Sequence, residues 1–346
     1  MPQKVSIQTI ADQLGLSKYA VSRALSGKSG VSEATRERVL ELAKTLGYGL
    51  PKQKTAAPVS SAASSFVLIC INPSIRGDSA YWQRVLEGLI VSSGEKGWHH
   101  VIVSQPLSFP SRSNLTPQQA IAPHLNWDSC LGLIVMGTPP YSSLQLMART
   151  GKPLVLLDHS EPLLDCDEVN HANIDAGIKI AHHLLVSRQC RNIVFLSDIA
   201  FSTSFAERRI GARLAVERYG GSDAKLREWE LTYGDGNWID TAASRFLRLA
   251  PEDRPDGWIG ANDDIALKWM QRLQQLGVSI PNDAYVAGID NVEEAALSSP
   301  RLTTVNLSKE ELGNRAIEML ERRIARPGTS IEKIQLNAAL IPRDSA

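Results

Sequence analysis

The sequence predicts two architectures in one chain: a small all-α headpiece, then an α/β core of parallel sheets arranged as two lobes. Three observations predict this. Residues 1–48 hold three short segments whose apolar residues recur at helical spacing. From Phe66 onward, apolar runs of strand length alternate with helical patterns, which marks parallel sheets. Between them lies a stretch rich in Ala, Ser and Pro and poor in bulky apolar residues, the composition of a linker. The expected boundaries are 1–49 for the headpiece, 50–65 for the linker and 66–346 for the core.

In the first helix, Ile7, Ile10, Ala11 and Leu14 keep i, i+3, i+4, i+7 spacing, and Ser6 can cap it. Gly15 ends that helix and Ser17 caps the next. A tight Gly-containing turn between two short helices is the helix-turn-helix pattern. In the second helix Val21, Ala24 and Leu25 share one side, while Tyr19, Ser22, Arg23 and Ser26 share the other. That outer face is short, polar and hydrogen-bonding, suited to the edges of base pairs rather than to Glu/Lys pairing. A third helix, capped by Ser32, turns Val39, Leu42, Ala43 and Leu46 inward. Residues 1–54 carry nine Lys/Arg against four Asp/Glu, a charge of +5 in a chain that is neutral overall. A basic head is charged where DNA phosphates would lie.

These residues resemble a known headpiece. Val5-Ser6-Ile7-Gln8-Thr9-Ile10-Ala11, Gly15-Leu16-Ser17, Val21-Ser22-Arg23-Ala24-Leu25, Val31-Ser32, Thr35-Arg36 and Leu46-Gly47-Tyr48 resemble the lac/galactose repressor family, in order and nearly without gaps. The resemblance implies that Lys18, Tyr19 and Arg23 take the family's base-reading positions. It also implies a homodimer on near-palindromic double-stranded DNA, with a periplasmic-binding-protein-like core. Ser6, Ser17, Ser22 and Ser26 complete the expected DNA-facing set, and Lys52 and Lys54 can touch phosphates. The linker departs from the family pattern: from Lys52 to Ser65 there is no leucine, and Pro58 interrupts a helix. A leucine wedged into the minor groove is therefore not expected, and the operator should be bent less than by relatives.

In the core, candidate strands are Phe66–Ile71, 101–104, 133–136, Leu154–Leu157, 193–196, 230–232, 258–260 and 285–289. Helices are expected over 81–96, 175–187, 204–219, 238–249, 263–276 and 308–326. Ligands in such folds sit beyond the carboxyl ends of the strands. Asn72, Asp158, Asn262 and Asp290 follow or end candidate strands; Tyr81 and Trp82 open one helix, Trp238 opens another and Arg208 lies in a third. Carboxylates, amides, an Arg and aromatic faces form a kit for a polyhydroxylated ligand. Ala261-Asn262-Asp263, Val286-Ala287-Gly288-Ile289-Asp290, Leu302-Thr303-Thr304-Val305 and Arg208-Arg209-Ile210-Gly211 resemble the family's core motifs. The resemblance implies that Arg208, Asn262 and Asp290 contact the effector and that Trp82 and Trp238 stack on it. Asn173 stands where the family commonly has Asp.

The expected effector is a sugar or sugar acid, with a purine or nucleoside as the alternative. A solute-binding protein without DNA function is the rival class; the basic head and the lack of an apolar leader after Met1-Pro2-Gln3-Lys4 oppose it. An enzyme would need a nucleophile elbow, a metal set or a phosphate loop, and the sequence shows none, so neither catalysis nor a cofactor is expected. Four Cys without metal-type spacing and no run near the roughly 18 apolar residues that span a bilayer point to the cytoplasm, away from membranes.

Overall fold

The computed structural model describes residues 7–25, 32–45, 65–72, 79–104, 115–198, 201–232 and 237–346. Ser6, Ser26, Lys52, Lys54 and the linker lie outside the described residues. The chain divides into two compact units, Met1–Ala63 and Ser64–Ala346.

The first unit holds α1 (Ile7–Leu14), α2 (Lys18–Leu25) and α3 (Glu33–Thr45). Ile10, Ala11, Val21, Ala24, Val39 and Ala43 form its core, the residues that helical spacing turns inward. Gly15 takes φ +65°, and the Leu16 amide donates to the Ala11 carbonyl at 3.0 Å, so α1 ends in a left-handed cap. Ser17 Oγ accepts from the Ala20 amide at 3.1 Å and Ser32 Oγ from the Thr35 amide at 3.3 Å, capping α2 and α3.

The second unit opens with β1 (Phe66–Ile71), α4 (Ala80–Glu95), β2 (His99–Val103), α5 (Pro117–Ile121), β3 (Cys130–Met136), α6 (Tyr141–Ala148), β4 (Leu154–Leu157) and β5 (Asp167–His171). It continues with α7 (Asn173–His182) and a π-helical turn His183–Ser187, then β6 (Asn192–Ser197), α8 (Thr203–Tyr219), β7 (Lys225–Glu230), α9 (Trp238–Leu247), β8 (Gly257–Gly260), α10 (Asp263–Gln275), β9 (Tyr285–Asp290), α11 (Glu293–Leu297) and β10 (Thr303–Asn306). Last come α12 (Lys309–Ala325), β11 (Lys333–Leu336) and β12 (Ala339–Ile341).

Two six-stranded sheets result, ordered β11-β5-β4-β3-β1-β2 and β12-β10-β9-β8-β6-β7. All pairings are parallel except β10 with β12. Each sheet anchors one lobe. The chain passes between lobes three times: at Ala172 after β5, at Leu307–Ser308 after β10, and at Asn337–Ala338 after β11. Strand period explains the layering. Val67 and Ile69 face one apolar cluster, while Phe66, Leu68 and Cys70 face another on the opposite side of the sheet.

Two expectations are corrected. The strand placed over 230–232 runs instead over Lys225–Glu230. It is an edge strand paired only with β6, where Glu228 is held by Arg209 and Arg213, so charge is tolerated. The strand β5 was not expected, because Asp167-Glu168-Val169-Asn170-His171 reads as polar. All five residues are buried. Arg323 clamps Asp167 with two 2.7 Å bonds, Lys333 reaches Glu168 at 2.7 Å, and Asn170 donates to Ser160 at 2.9 Å. Polar groups so satisfied can be buried.

Candidate functional site

The cleft lies between the two lobes at the carboxyl ends of their strands. Its space, open mouth included, is about 600 Å³, lined by Tyr81, Trp82, Thr138 and Asp158 of the first lobe and Phe201, Phe205, Arg208, Asn262 and Asp290 of the second, among others. Asp158 directly follows β4, Asp290 ends β9, and Asn262 caps α10 by accepting from the Ile265 amide at 2.9 Å. Asp158 and Asp290 hold φ of +54° and +131°, and Asn291 +53°. Such backbone persists only where surrounding structure enforces it, and it is concentrated here at the strand ends.

Arg208 is placed by the packing of α8. Its neighbours on the buried stripe are Ser204, Phe205, Gly211, Ala212 and Ala215, at the spacing of one helix face. Only 2% of it is exposed. Its Nε donates to Asn173 Oδ1 at 3.0 Å and its Nη1 to the Ala261 carbonyl at 2.8 Å, while Nη1 sits 3.1 Å from Asp290 Oδ1. Asn173 in turn donates to Glu207 at 3.0 Å. Nη2 enters none of these bonds.

Burial pushes the Asp158 carboxyl up to about 7; Arg208 pulls it down and Asp290 pushes it up. Burial also raises Asp290, against the pull of Arg208 and Lys309. The Tyr81 hydroxyl lies beside Asp158 and is pushed well above its usual value by burial and by the two carboxyls. Lys309 Nζ closes the floor by donating to the carbonyls of Asp290, Asn291 and Leu307. Behind Tyr81, its ring 6.2 Å away, His171 is fully buried; burial first, then Arg208 and Lys309, push it down to about 3.

Six of the eight residues expected to contact an effector meet in this cleft: Tyr81, Trp82, Asp158, Arg208, Asn262 and Asp290. Two do not. Asn72 Nδ2 donates to the Thr138 carbonyl and so ties β1 to the loop after β3. Trp238 is buried in the second lobe, beside a separate cavity shared with Trp229 and Arg245. The aromatic wall is supplied instead by Phe201 and Phe205, ring centres 5.4 Å apart, which sequence reasoning missed. The signal was available: Phe205 precedes Arg208 by three positions, on the same helix face.

In the headpiece, Ser17 is occupied as a cap and Lys18 is exposed at the start of α2. Tyr19, Ser22 and Arg23 lie on α2, and their side chains lie outside what is described.

Comparison with known proteins agrees with this two-part layout. The profile described as "Bacterial regulatory proteins, lacI family" matches residues 6–49, and "Periplasmic binding protein-like domain" matches residues 182–346. A curated relative, the HTH-type transcriptional repressor PurR of Vibrio cholerae serotype O1, is 26% identical over 344 residues, covering 98% of this chain and 97% of its own. Among solved structures, a LacI family transcriptional regulator from Enterococcus faecium with bound ribose superposes with a TM-score of 0.67 at 18% identity, over 81% of this chain and 98% of that one. The lac repressor dimer bound to operator and the anti-inducer ONPF gives a TM-score of 0.65 at 20% identity, over 99% of each chain. With the helix-turn-helix unit, the two-lobed core and the cleft all in place, the chain belongs to the lac/galactose repressor family of DNA-binding transcription regulators.

Proposed function

We propose that this chain is a repressor that holds a near-palindromic operator as a homodimer and changes its hold when a sugar-class effector enters the cleft. The observation that carries the reading is the cross-cleft set of Asp158 from one lobe with Arg208 and Asp290 from the other. Carboxylates accept from adjacent hydroxyls, Arg208 Nη2 donates to a ring or hydroxyl oxygen, and Trp82, Phe201 and Phe205 offer faces to a sugar's C–H surface. The ribose bound by the Enterococcus relative supports this class of ligand, and the operator-bound lac repressor dimer supports the assembly. The protein works by binding in the cytoplasm rather than by catalysis.

The mechanism is linkage. An effector that contacts both lobes favours one relative placement of them, and a dimer transmits that preference to its two heads. Operator affinity then changes by the coupling free energy, about 1–3 kcal/mol. Two measurements test the reading. Selection of binding sites from random duplexes should return half-sites about one helical turn, roughly 34 Å, apart. A thermal-shift screen of sugars and their derivatives should find a ligand that adds about 2.7 kcal/mol at 100 times its dissociation constant and alters operator binding. A protein that selects no duplex, or whose ligands leave operator binding untouched, is not this regulator.

A further inference from the structure

We propose that the effector carries an ammonium group, which pairs with Asp158 against the aromatic wall of the cleft. This rests on the reading of the cleft as the effector site and narrows it to one class: an amine-bearing polyhydroxylated ligand.

One carboxyl of the cleft has no ion pair of its own, whereas Asp290 has Arg208 beside it and Lys309 on the floor beneath it. Among the described lining residues of the cleft, Arg208 is the one cation, and it is committed to Asn173, the Ala261 carbonyl and Asp290. Asp290 therefore has its counter-charge. Asp158 makes no ion pair among the described residues; the Tyr81 hydroxyl is its side-chain hydrogen-bond neighbour, and its Oδ1 is buried without a hydrogen-bond partner. Glu207, behind Asn173, adds to the negative field around it. Toward the outer mouth Asp264 is matched by Lys268 at 2.7 Å, but Glu294 forms no ion pair among the described residues. A buried carboxylate without a counter-charge is costly in a medium of low dielectric. A neutral hydroxyl bonds it without cancelling its charge, an anion adds a second one, and an ammonium cancels it.

The walls match the same ligand. Tyr81 and Trp82 meet edge to face at 5.1 Å. Phe201 and Phe205 line the cleft from the second lobe, where the Arg208 guanidinium already lies 5.7 Å from the Phe205 ring centre, so Tyr81, Trp82 and Phe201 are the faces left for a ligand. Ring faces beside a carboxylate attract an ammonium through both the quadrupole and the charge. The raised carboxyl of Asp158 agrees with this: burial outweighs the pull of Arg208 there.

The experiment titrates the full-length protein with matched probes built on glucose and on galactose: the parent sugar, the 2-amino sugar, its N-acetyl form, the uronic acid and the 6-phosphate. In one series the amino sugar should bind roughly tenfold or more tighter than its parent. N-acetylation, which keeps the nitrogen and removes the charge, should erase that advantage. Asp158→Asn should erase it too, so that amino sugar and parent bind the variant equally, whatever the substitution does to the parent's own affinity. Asn tolerates the +54° φ at this position, so the variant keeps the fold, and retained operator binding checks that it does. Tighter binding by an acid or phosphate, or equal binding by parent and amino sugar, overturns the ammonium assignment and leaves the sugar reading intact. No binding by any probe counts against both.

Discussion

The carbonyl oxygen of Arg208 occupies the place where a side chain at residue 177 would begin: a Cβ on Gly177 would stand 2.0 Å from it. The contact is reciprocal, since a Cβ on Gly211 would stand 2.0 Å from the Ile174 carbonyl. Helices α7 and α8 thus cross backbone to backbone, and the crossing fixes the height at which Arg208 enters the cleft. Gly177→Ala must push α8 outward and draw the guanidinium away from Asn173 and Ala261. A loss of about 1–3 kcal/mol in stability is expected, with weaker effector binding. Denaturant melts and ligand titration measure the two effects, and an unchanged effector affinity would detach Arg208 from this crossing.

Arg208→Met leaves Asp290 buried and unpaired, because Lys309 bonds the backbone oxygen of Asp290. The expected cost is about 3–5 kcal/mol. Adding Asp290→Asn should recover part of it, since the stranded charge is then gone. A double variant no more stable than the single one would contradict the pairing.

Stability should depend on pH in a defined direction. Asp158 and Asp263 are both pushed up to about 7 by burial, from an ordinary 3.8. Between these values the folded chain holds protons that the unfolded chain has lost. The stability they contribute is therefore present below about 4 and is lost as pH rises through 7. The groups facing Asp158 are Arg208, Asp290, Tyr81 and Glu207. His171, pushed down to about 3, acts oppositely once the pH falls below its ordinary 6.5. From pH 8 to 6.5 the melting temperature should rise, and Asp158→Asn should be more stable than the parent at pH 8, with the gap closing on acidification. Parallel profiles for the two proteins would refute the buried-carboxyl account.

The two aromatic assignments separate by mutation. Trp238→Ala should cost about 3–5 kcal/mol as a core truncation yet leave effector affinity unchanged. Phe205→Leu preserves most of the volume but removes a cleft ring, so affinity should fall with little loss of stability. The reverse pattern, read by calorimetry, would return Trp238 to the ligand.

The headpiece carries its own test. Deleting residues 1–60 removes one compact unit and leaves the other whole, so DNA binding should vanish while effector binding stays. If the dimer makes about 6–10 phosphate contacts, operator affinity should fall ~10³–10⁵-fold from 50 to 200 mM salt. A flat salt response would contradict a basic head on phosphates.

How legible was this in the sequence? The headpiece core was readable for Ile10, Ala11, Val21, Ala24, Val39 and Ala43, because helical spacing decides which side of a short helix is buried; the side chains of Ile7, Leu25 and Leu46 lie outside what is described. Strands β1 and β4 were readable to the residue, since both are apolar throughout. Strand β5 was not: its burial depends on Arg323, Lys333 and Ser160, two of them more than 150 positions away in the chain, and no local pattern announces such partners. The cleft was legible wherever a residue ends a strand, as Asp158 and Asp290 do. Asn72 and Trp238 are not among the residues that line the cleft, although the strand and the helix that carry them were placed correctly. Position along a strand is a local property. The direction of a side chain is decided by its neighbours.

The three passages between the lobes bear on how such a chain can be rearranged. The first lobe is completed by α12 and β11, which arrive only after the whole of β6 to β10 has been made. Neither lobe is a contiguous stretch of the gene, so neither can be exchanged as a cassette by one recombination. Swapping the second lobe for another needs joints at all three passages, near 172, 307 and 337. New specificities are therefore reached far more readily by substitutions at the cleft rim than by trading halves.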